Sequence, residues 1–298
     1  MKKLNSRLKM LIAMLIIASM LPISIFSYKI LGRIYPVTML ELKREFLYLG
    51  SSIELTEFNA ETNITTLEEL KKLPVSVVNN SMILVSSDHP ITEQLTFESV
   101  CEYKDTDLKL DICMHSAFSE LSTYITEHFD QKLFITSAYR TAEEQQALFD
   151  EKGSDVAQRP GESEHQTGLS ADIAVKGFGG ASFLKTDVGK YINLHCWKHG
   201  FIIRYPSGKT SVTKIDYEPW HIRYVGIPHA EFISKNDITL EEYIESLTPD
   251  ILYTYDKISN FAVVKTTENE KIMIPENFIS CVISPDNCGN YIITFQLY

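Results

Sequence analysis

Between Ser116 and Leu247 the chain alternates helix-length amphipathic stretches with apolar runs of about five residues, and this alternation restricts the fold more than any other feature. Phe118, Leu121, Tyr124 and Ile125, with Phe129 staggered behind them, predict a helix over 116–129. Leu133–Ser137 reads as a short strand. Thr141 with Glu144 three residues on forms a capping box, which predicts a helix from Thr141 to about Phe149. After a loop over 152–164 come a strand at Ala171–Val175, a helix at Asp187–His199 stopped by Gly200, and strands at Phe201–Tyr205 and His221–Val225. A second capping box at Thr239 and Glu242 opens a closing helix over 239–247. Helices interleaved with short strands predict an α+β fold, a small mixed or antiparallel sheet flanked by helices. Residues 251–298 break the pattern: Phe261–Val264, Ile272–Ile274 and Tyr291–Phe295 are strand candidates separated by Asn, Asp, Gly and Pro, which predicts a C-terminal β appendage of about four strands.

One strand carries a polar residue of interest. Ala171–Val175 places Ile173 and Val175 on one face and Asp172 on the other. His165 precedes Asp172 by seven residues, with Gly168 between them, and Tyr217-Glu-Pro-Trp-His-Ile-Arg-Tyr-Val-Gly226 sets Glu218 three residues before His221. Pro219 disfavours a helical conformation at Glu218. His165, Asp172 and His221 form a candidate metal-ligand set, with a spare carboxylate beside them. Three protein ligands leave the fourth tetrahedral position of zinc open for water, as catalysis requires. Zinc brings the pKa of that water from about 15.7 to about 7. Glu218 is then the candidate base, and Arg140, at the turn Ser137-Ala-Tyr-Arg-Thr141, the candidate partner for a developing oxyanion. Each piece alone is weak: Asp172 could be a satisfied core carboxylate, and Trp220 could serve packing alone. The conjunction carries the reading. His195, Cys196 and His199 mimic a metal cluster, but surface positions near a helix C-terminus account for the two histidines, and His89, His115, His128 and His229 have no partner pattern.

Composition narrows the function. A formal charge of −11 over 298 residues leaves no basic stripe for phosphates and excludes nucleic acid as a partner. Lys2, Lys3, Arg7 and Lys9 precede an apolar run from Met10 to about Phe26, which predicts a signal anchor over 1–28: a single N-terminal span in the cell membrane with the remainder extracytoplasmic. Residues 29–75 are expected to form a stalk, 76–250 the catalytic domain and 251–298 the appendage. The five cysteines are too scattered for a disulfide scaffold, although Cys281 and Cys288 flank a turn and could bridge a hairpin.

Ser163-x-His165-x-x-Gly168-x-x-x-Asp172, Tyr139-Arg140-x4-Gln145 and Glu218-Pro-Trp-His221-Ile-Arg-Tyr-Val-Gly226 together resemble the VanY-type zinc D-alanyl-D-alanine carboxypeptidases, a family that also holds D-Ala-D-Ala dipeptidases and L,D-carboxypeptidases. The resemblance covers roughly residues 80–248. It implies one zinc ion on His165, Asp172 and His221, with Glu218 as base and Arg140 at the scissile carbonyl. It also implies that Ser163 and Gln145 hold the substrate's terminal carboxylate, with Tyr139 and Trp220 as further substrate contacts. The implied substrate is a peptidoglycan stem peptide ending in D-Ala-D-Ala, whose trimming removes the target of vancomycin-type antibiotics. Two alternatives stay open at this point: an L,D-carboxypeptidase acting on tetrapeptide stems, and a non-catalytic cell-wall-binding protein.

Overall fold

The computed structural model describes residues 31–298 except positions 33, 93, 94 and 155. The expected signal anchor over 1–28 lies outside the described residues, and among those described no helix is long and apolar enough to cross a membrane. The chain divides into two units at Leu49/Gly50. In the first, helix α1 (Pro36–Leu47) starts on a proline, whose fixed φ and missing N–H suit the first helical turn.

The second unit contains helices α2 (Leu67–Lys71), α3 (Ile112–Phe129), α4 (Ala142–Lys152), α5 (Asp187–His195), α6 (Thr210–Thr213), α7 (His229–Asn236) and α8 (Leu240–Ser246). Its strands are β1 (Leu55–Glu57), β2 (Thr62–Thr66), β3 (Ser76–Val78), β4 (Val100–Glu102), β5 (Lys109–Asp111), β6 (Phe134–Ser137), β7 (Ser170–Ala174), β8 (Phe201–Ile203), β9 (His221–Tyr224), β10 (Leu252–Tyr255), β11 (Ile258–Thr266), β12 (Lys271–Pro275), β13 (Ser280–Pro285) and β14 (Tyr291–Gln296). This is the α+β class expected.

Both anticipated capping boxes form. Thr141 Oγ1 accepts from the Glu144 amide and the Glu144 carboxylate accepts from the Thr141 amide, and Thr239 and Glu242 repeat the arrangement. Helix α3 begins four residues earlier than its apolar spacing suggested, because the Asp111 side chain caps it by accepting from the Cys113 amide.

Four antiparallel strands in the order β6-β7-β9-β8 form the sheet that carries the site. Helices α3 and α5 cover it, and Met114, Phe118, Leu121, Ile125, Ile173, Val188, Ile192 and Ile222 make their shared core. A second sheet of six strands has the order β1-β10-β11-β14-β13-β3.

That second sheet corrects two expectations. The residues assigned to a stalk up to 75 contribute β1, which pairs with β10 in that sheet, and β2, which pairs with β12 in a separate two-stranded sheet, while β3 follows at once and lies parallel to β13. The C-terminal strands therefore do not stand apart as an appendage. They share a core with the site-bearing half, in which Ile202, Val225, Phe232, Tyr243 and Leu247 pack with Tyr255, Val263 and Ile292. β1 and β3 are three residues long with mostly exposed side chains, so no apolar alternation marked them; they are held by backbone pairing at sheet edges. Strands β10 and β13 also carried too little pattern to be anticipated. Cys281 and Cys288 are both free: Cys281 is buried on β13 with its sulfur 3.1 Å from Ser76 Oγ, whereas Cys288 is exposed in the following turn.

Candidate active site

The register of the small sheet assembles the site. Ser137 on β6, Asp172 on β7 and His221 on β9 are direct cross-strand partners, so their side chains form a row on one face. β6 is irregular between Ile135 and Ser137, where the ladder gives way to the turn bearing Arg140. His165 reaches the row from a single 3₁₀ turn, Glu164–Thr167, which ends at Gly168 with φ of 72°. A Cβ at Gly168 would lie 2.7 Å from Val100 Cγ2 and 2.9 Å from the Asp111 amide nitrogen, so glycine alone fits this close passage between β4 and β5.

One side-chain atom from each of His165, Asp172 and His221 lies within 4.8 Å of the others, the one such cluster of three among the described residues. His165 Nε2 is 3.5 Å from Asp172 Oδ2, and His221 Nδ1 is 3.0 Å from Asp172 Oδ1. His165 Nδ1 lies 2.7 Å from the Ala138 carbonyl oxygen, which can only accept, so this nitrogen carries the proton and Nε2 presents its lone pair to the cluster. Burial holds the His165 pKa below its ordinary value, so the ring stays neutral. A lone pair facing a carboxylate is repulsive unless a cation lies between them. Two imidazoles and one carboxylate, nearly dry, fit zinc in ligand type and number.

Asp172 is held well below the carboxylate range: burial works against this, and its pairing with the two histidines, through the hydrogen bond from His221 Nδ1 in particular, overcomes it. The same pairing acts on His221, where burial lowers and the bond to Asp172 raises the pKa, to about 9.

Glu218 approaches from the turn before β9, with Oε2 3.6 Å from His221 Nδ1 and its amide bonded to the Tyr205 carbonyl. Burial raises its pKa, the direction a proton acceptor near neutral pH needs. Arg140 donates from Nη1 to Ser137 Oγ (2.6 Å) and from Nε to Gln145 Oε1 (2.9 Å). These groups face a cavity of about 150 Å³ lined by Arg140, Gln145, Ser163, His165, Asp172, Tyr205, Glu218 and His221 among others.

The nine residues singled out from sequence divide here. Seven line the cavity. Gln145 does so with both polar ends engaged, its Nε2 donating to the Gln158 carbonyl, so it orients Arg140. Tyr139 and Trp220 are not among the lining residues, and Trp220 packs against the core beneath the sheet. The decoy histidines lie elsewhere: His195 sits against Tyr191 and His199 against Tyr124.

A family model described as VanY, D-alanyl-D-alanine carboxypeptidase, matches residues 107–227. A D-alanyl-D-alanine carboxypeptidase of Enterococcus faecium is 31% identical over 237 residues, covering 73% of this chain and 76% of that protein. The chain belongs to the VanY family. Two solved structures of such enzymes superpose on it. VanYB in complex with D-alanine-D-alanine gives a TM-score of 0.50 at 31% identity over 56% of this chain and 99% of that one. The LD-carboxypeptidase LdcB gives 0.52 at 32% identity over 60% and 94%.

In this VanY-family site, sequence reasoning missed a buried charge network. Glu164, adjacent to the candidate ligand His165, accepts at Oε1 from Arg204 Nε (2.8 Å) and Arg223 Nη1 (2.6 Å), and Arg204 also grips Glu241 with both terminal nitrogens. The only available signal was the presence of two arginines inside apolar strands, at Phe201–Tyr205 and His221–Val225.

Proposed function

We propose that this protein is a zinc-dependent D,D-carboxypeptidase that removes the terminal D-Ala from peptidoglycan stem pentapeptides. The observation that carries the reading is Glu218: a carboxylate beside a complete His-Asp-His ligand set, facing the cavity and pushed by burial toward accepting a proton. The E. faecium relative and the D-Ala-D-Ala complex of VanYB support the substrate class.

His165, Asp172 and His221 would hold the ion. Bound zinc supplies a Lewis acid that acidifies water and polarises a carbonyl. Glu218 takes the proton from the attacking water and passes it to the amine of the departing D-Ala, so the peptide bond breaks as a carboxylic acid and an amine form. Arg140, braced by Ser137 and Gln145, holds its guanidinium toward the charge that develops on the scissile oxygen. Ser163, buried on the cavity wall, offers a hydroxyl to the substrate's terminal carboxylate. Loss of the terminal D-Ala removes the feature that vancomycin-type antibiotics bind, so the enzyme contributes to resistance. The basic N-terminal residues and the apolar run from Met10 support a membrane-anchored, extracytoplasmic setting, where that substrate is found.

The likeness to LdcB favours a second reading, in which the same chemistry trims tetrapeptide stems. Incubating the detergent-solubilised full chain with pentapeptide and tetrapeptide stems, with and without a zinc chelator, separates the two by product mass. Chelator-sensitive loss of one alanine from the pentapeptide alone establishes the D,D-enzyme. Loss from the tetrapeptide alone moves the assignment to the L,D class, and no loss from either refutes both.

A further inference from the structure

Two buried polar atoms in this molecule face each other without touching. Glu164 is fully buried and His221 is 3% exposed, yet Glu164 Oε2 and His221 Nε2 both lack a hydrogen-bond partner and lie 3.8 Å apart. Unpaired polar atoms at this depth cost about 1–3 kcal/mol each, so such a pairing needs a reason. The carboxylate is arranged to keep Oε2 free: both arginines converge on Oε1. Their remaining donors go elsewhere. Arg223 bonds the Ser81, Ile83 and Tyr224 carbonyls, and Arg204 bonds Glu241. The local charges balance, with Glu164 and Glu241 opposite Arg204 and Arg223. With two guanidinium groups bonded to Oε1, Oε2 is left as an acceptor facing His221.

A neutral imidazole has one N–H and one lone pair. His165 settles the choice through the Ala138 carbonyl and offers Nε2. His221 has the opposite geometry: Nδ1 points into the ligand cluster, and Nε2 points at Glu164. We infer that Glu164 is a positioning residue for the metal centre: its Oε2 accepts a hydrogen bond from a protonated Nε2 of His221, fixing the tautomer in which Nδ1 is the ligand atom. The inference rests on the zinc reading given above. Through Arg204 and Arg223 the same carboxylate ties this ligand to helix α8 and to the 81–83 segment, so the metal site is braced by parts of the chain that contribute no ligand.

The test uses full-length protein loaded with zinc and labelled with ¹⁵N-histidine. The expected spectrum has one imidazole bound through Nε2 with Nδ1 protonated (His165), and one bound through Nδ1 with a slowly exchanging Nε2–H (His221). Glu164→Gln should weaken zinc binding by about 10–100-fold in chelator competition and speed exchange of that proton. Glu241→Gln, which disturbs the same arginine without facing His221, should leave the zinc dissociation constant within about twofold. Coordination of both histidines through Nε2 overturns the inference even if Glu164→Gln fails to fold. Equal zinc affinity in a folded Glu164→Gln variant, or equal weakening by Glu241→Gln, also overturns it. If the wild-type protein binds no zinc at all, the zinc reading falls first and this inference with it.

Discussion

The two larger sheets of the Gly50–Tyr298 unit solve the problem of burial in opposite ways. The site sheet has strands of three to five residues and buries charge: Arg204 on the segment after β8 and Arg223 on β9 are completely enclosed, held by Glu164. The six-stranded sheet, whose strand β11 runs for nine residues, encloses Ala262, Val264, Ile283, Ile293 and Phe295, and its buried Lys265 reaches the Ile244 carbonyl. Apolar burial is non-directional and tolerates repacking, whereas a buried charge is stable only with named partners at fixed positions. The candidate site lies on the first sheet, where positional precision is already required, and the second sheet adds apolar burial through the core they share.

Substitutions can break that contrast. The largest expected effect is Glu218→Ala, which should lower kcat by about 10²–10⁴-fold while zinc stays bound and the melting temperature barely moves. A melting temperature depressed as far as by a core truncation would show that the site sheet also carries bulk stability. The reverse experiment is Phe295→Ala, which should cost about 3–5 kcal/mol in denaturant unfolding yet leave kcat/KM of the folded fraction unchanged. A change in kcat/KM would mean that the second sheet reaches into the chemistry.

The seam between the sheets gives a smaller, pH-dependent effect. His229 is buried with Nδ1 2.7 Å from Tyr243 Oη and Nε2 2.7 Å from Thr294 Oγ1, and burial lowers its pKa to about 3. Below about pH 6.5 the unfolded chain takes up a proton that the folded chain refuses until about pH 3. Folding stability therefore falls with falling pH across this window, by up to about 1.4 kcal/mol per unit from this group. Urea titrations at two pH values inside the window should show a steeper loss for wild type than for His229→Gln; equal slopes would remove His229 as the seam's acid-sensitive element. The smallest effect belongs to Thr141→Ala, which removes the cap of α4 at a cost of about 1 kcal/mol and, by loosening the turn beside Arg140, should raise KM more than it lowers kcat in steady-state assays.

Several features were legible in the residues themselves. The capping boxes at Thr141 and Thr239 are local, and each requires only two side chains three residues apart. The candidate ligands were legible because their spacing within each motif is fixed by one turn and one strand, and because their chemistry is restrictive. Trp220 was ambiguous: a tryptophan next to a ligand serves a pocket or a core equally well, and only packing shows that it faces the core. Gln145 was a substrate contact only by the family resemblance, and in the structure its neighbours engage both ends of its amide.

The sequence alone determined the helices that bury one face, the strand faces around Asp172, and the choice of candidate metal ligands and candidate base, because periodicity and local hydrogen bonding act within a few residues. The tertiary structure decided the rest. It placed β1 beside β10, although their paired residues Leu55 and Tyr255 lie on opposite sides of the entire site-bearing region. It also brought Glu164 to Arg204 and Arg223, 40 and 59 residues away, and left one oxygen facing His221. A charged residue in an apolar strand shows that a partner is needed; which partner it meets is set by strand register and chain crossing, which bring together residues that no local pattern connects.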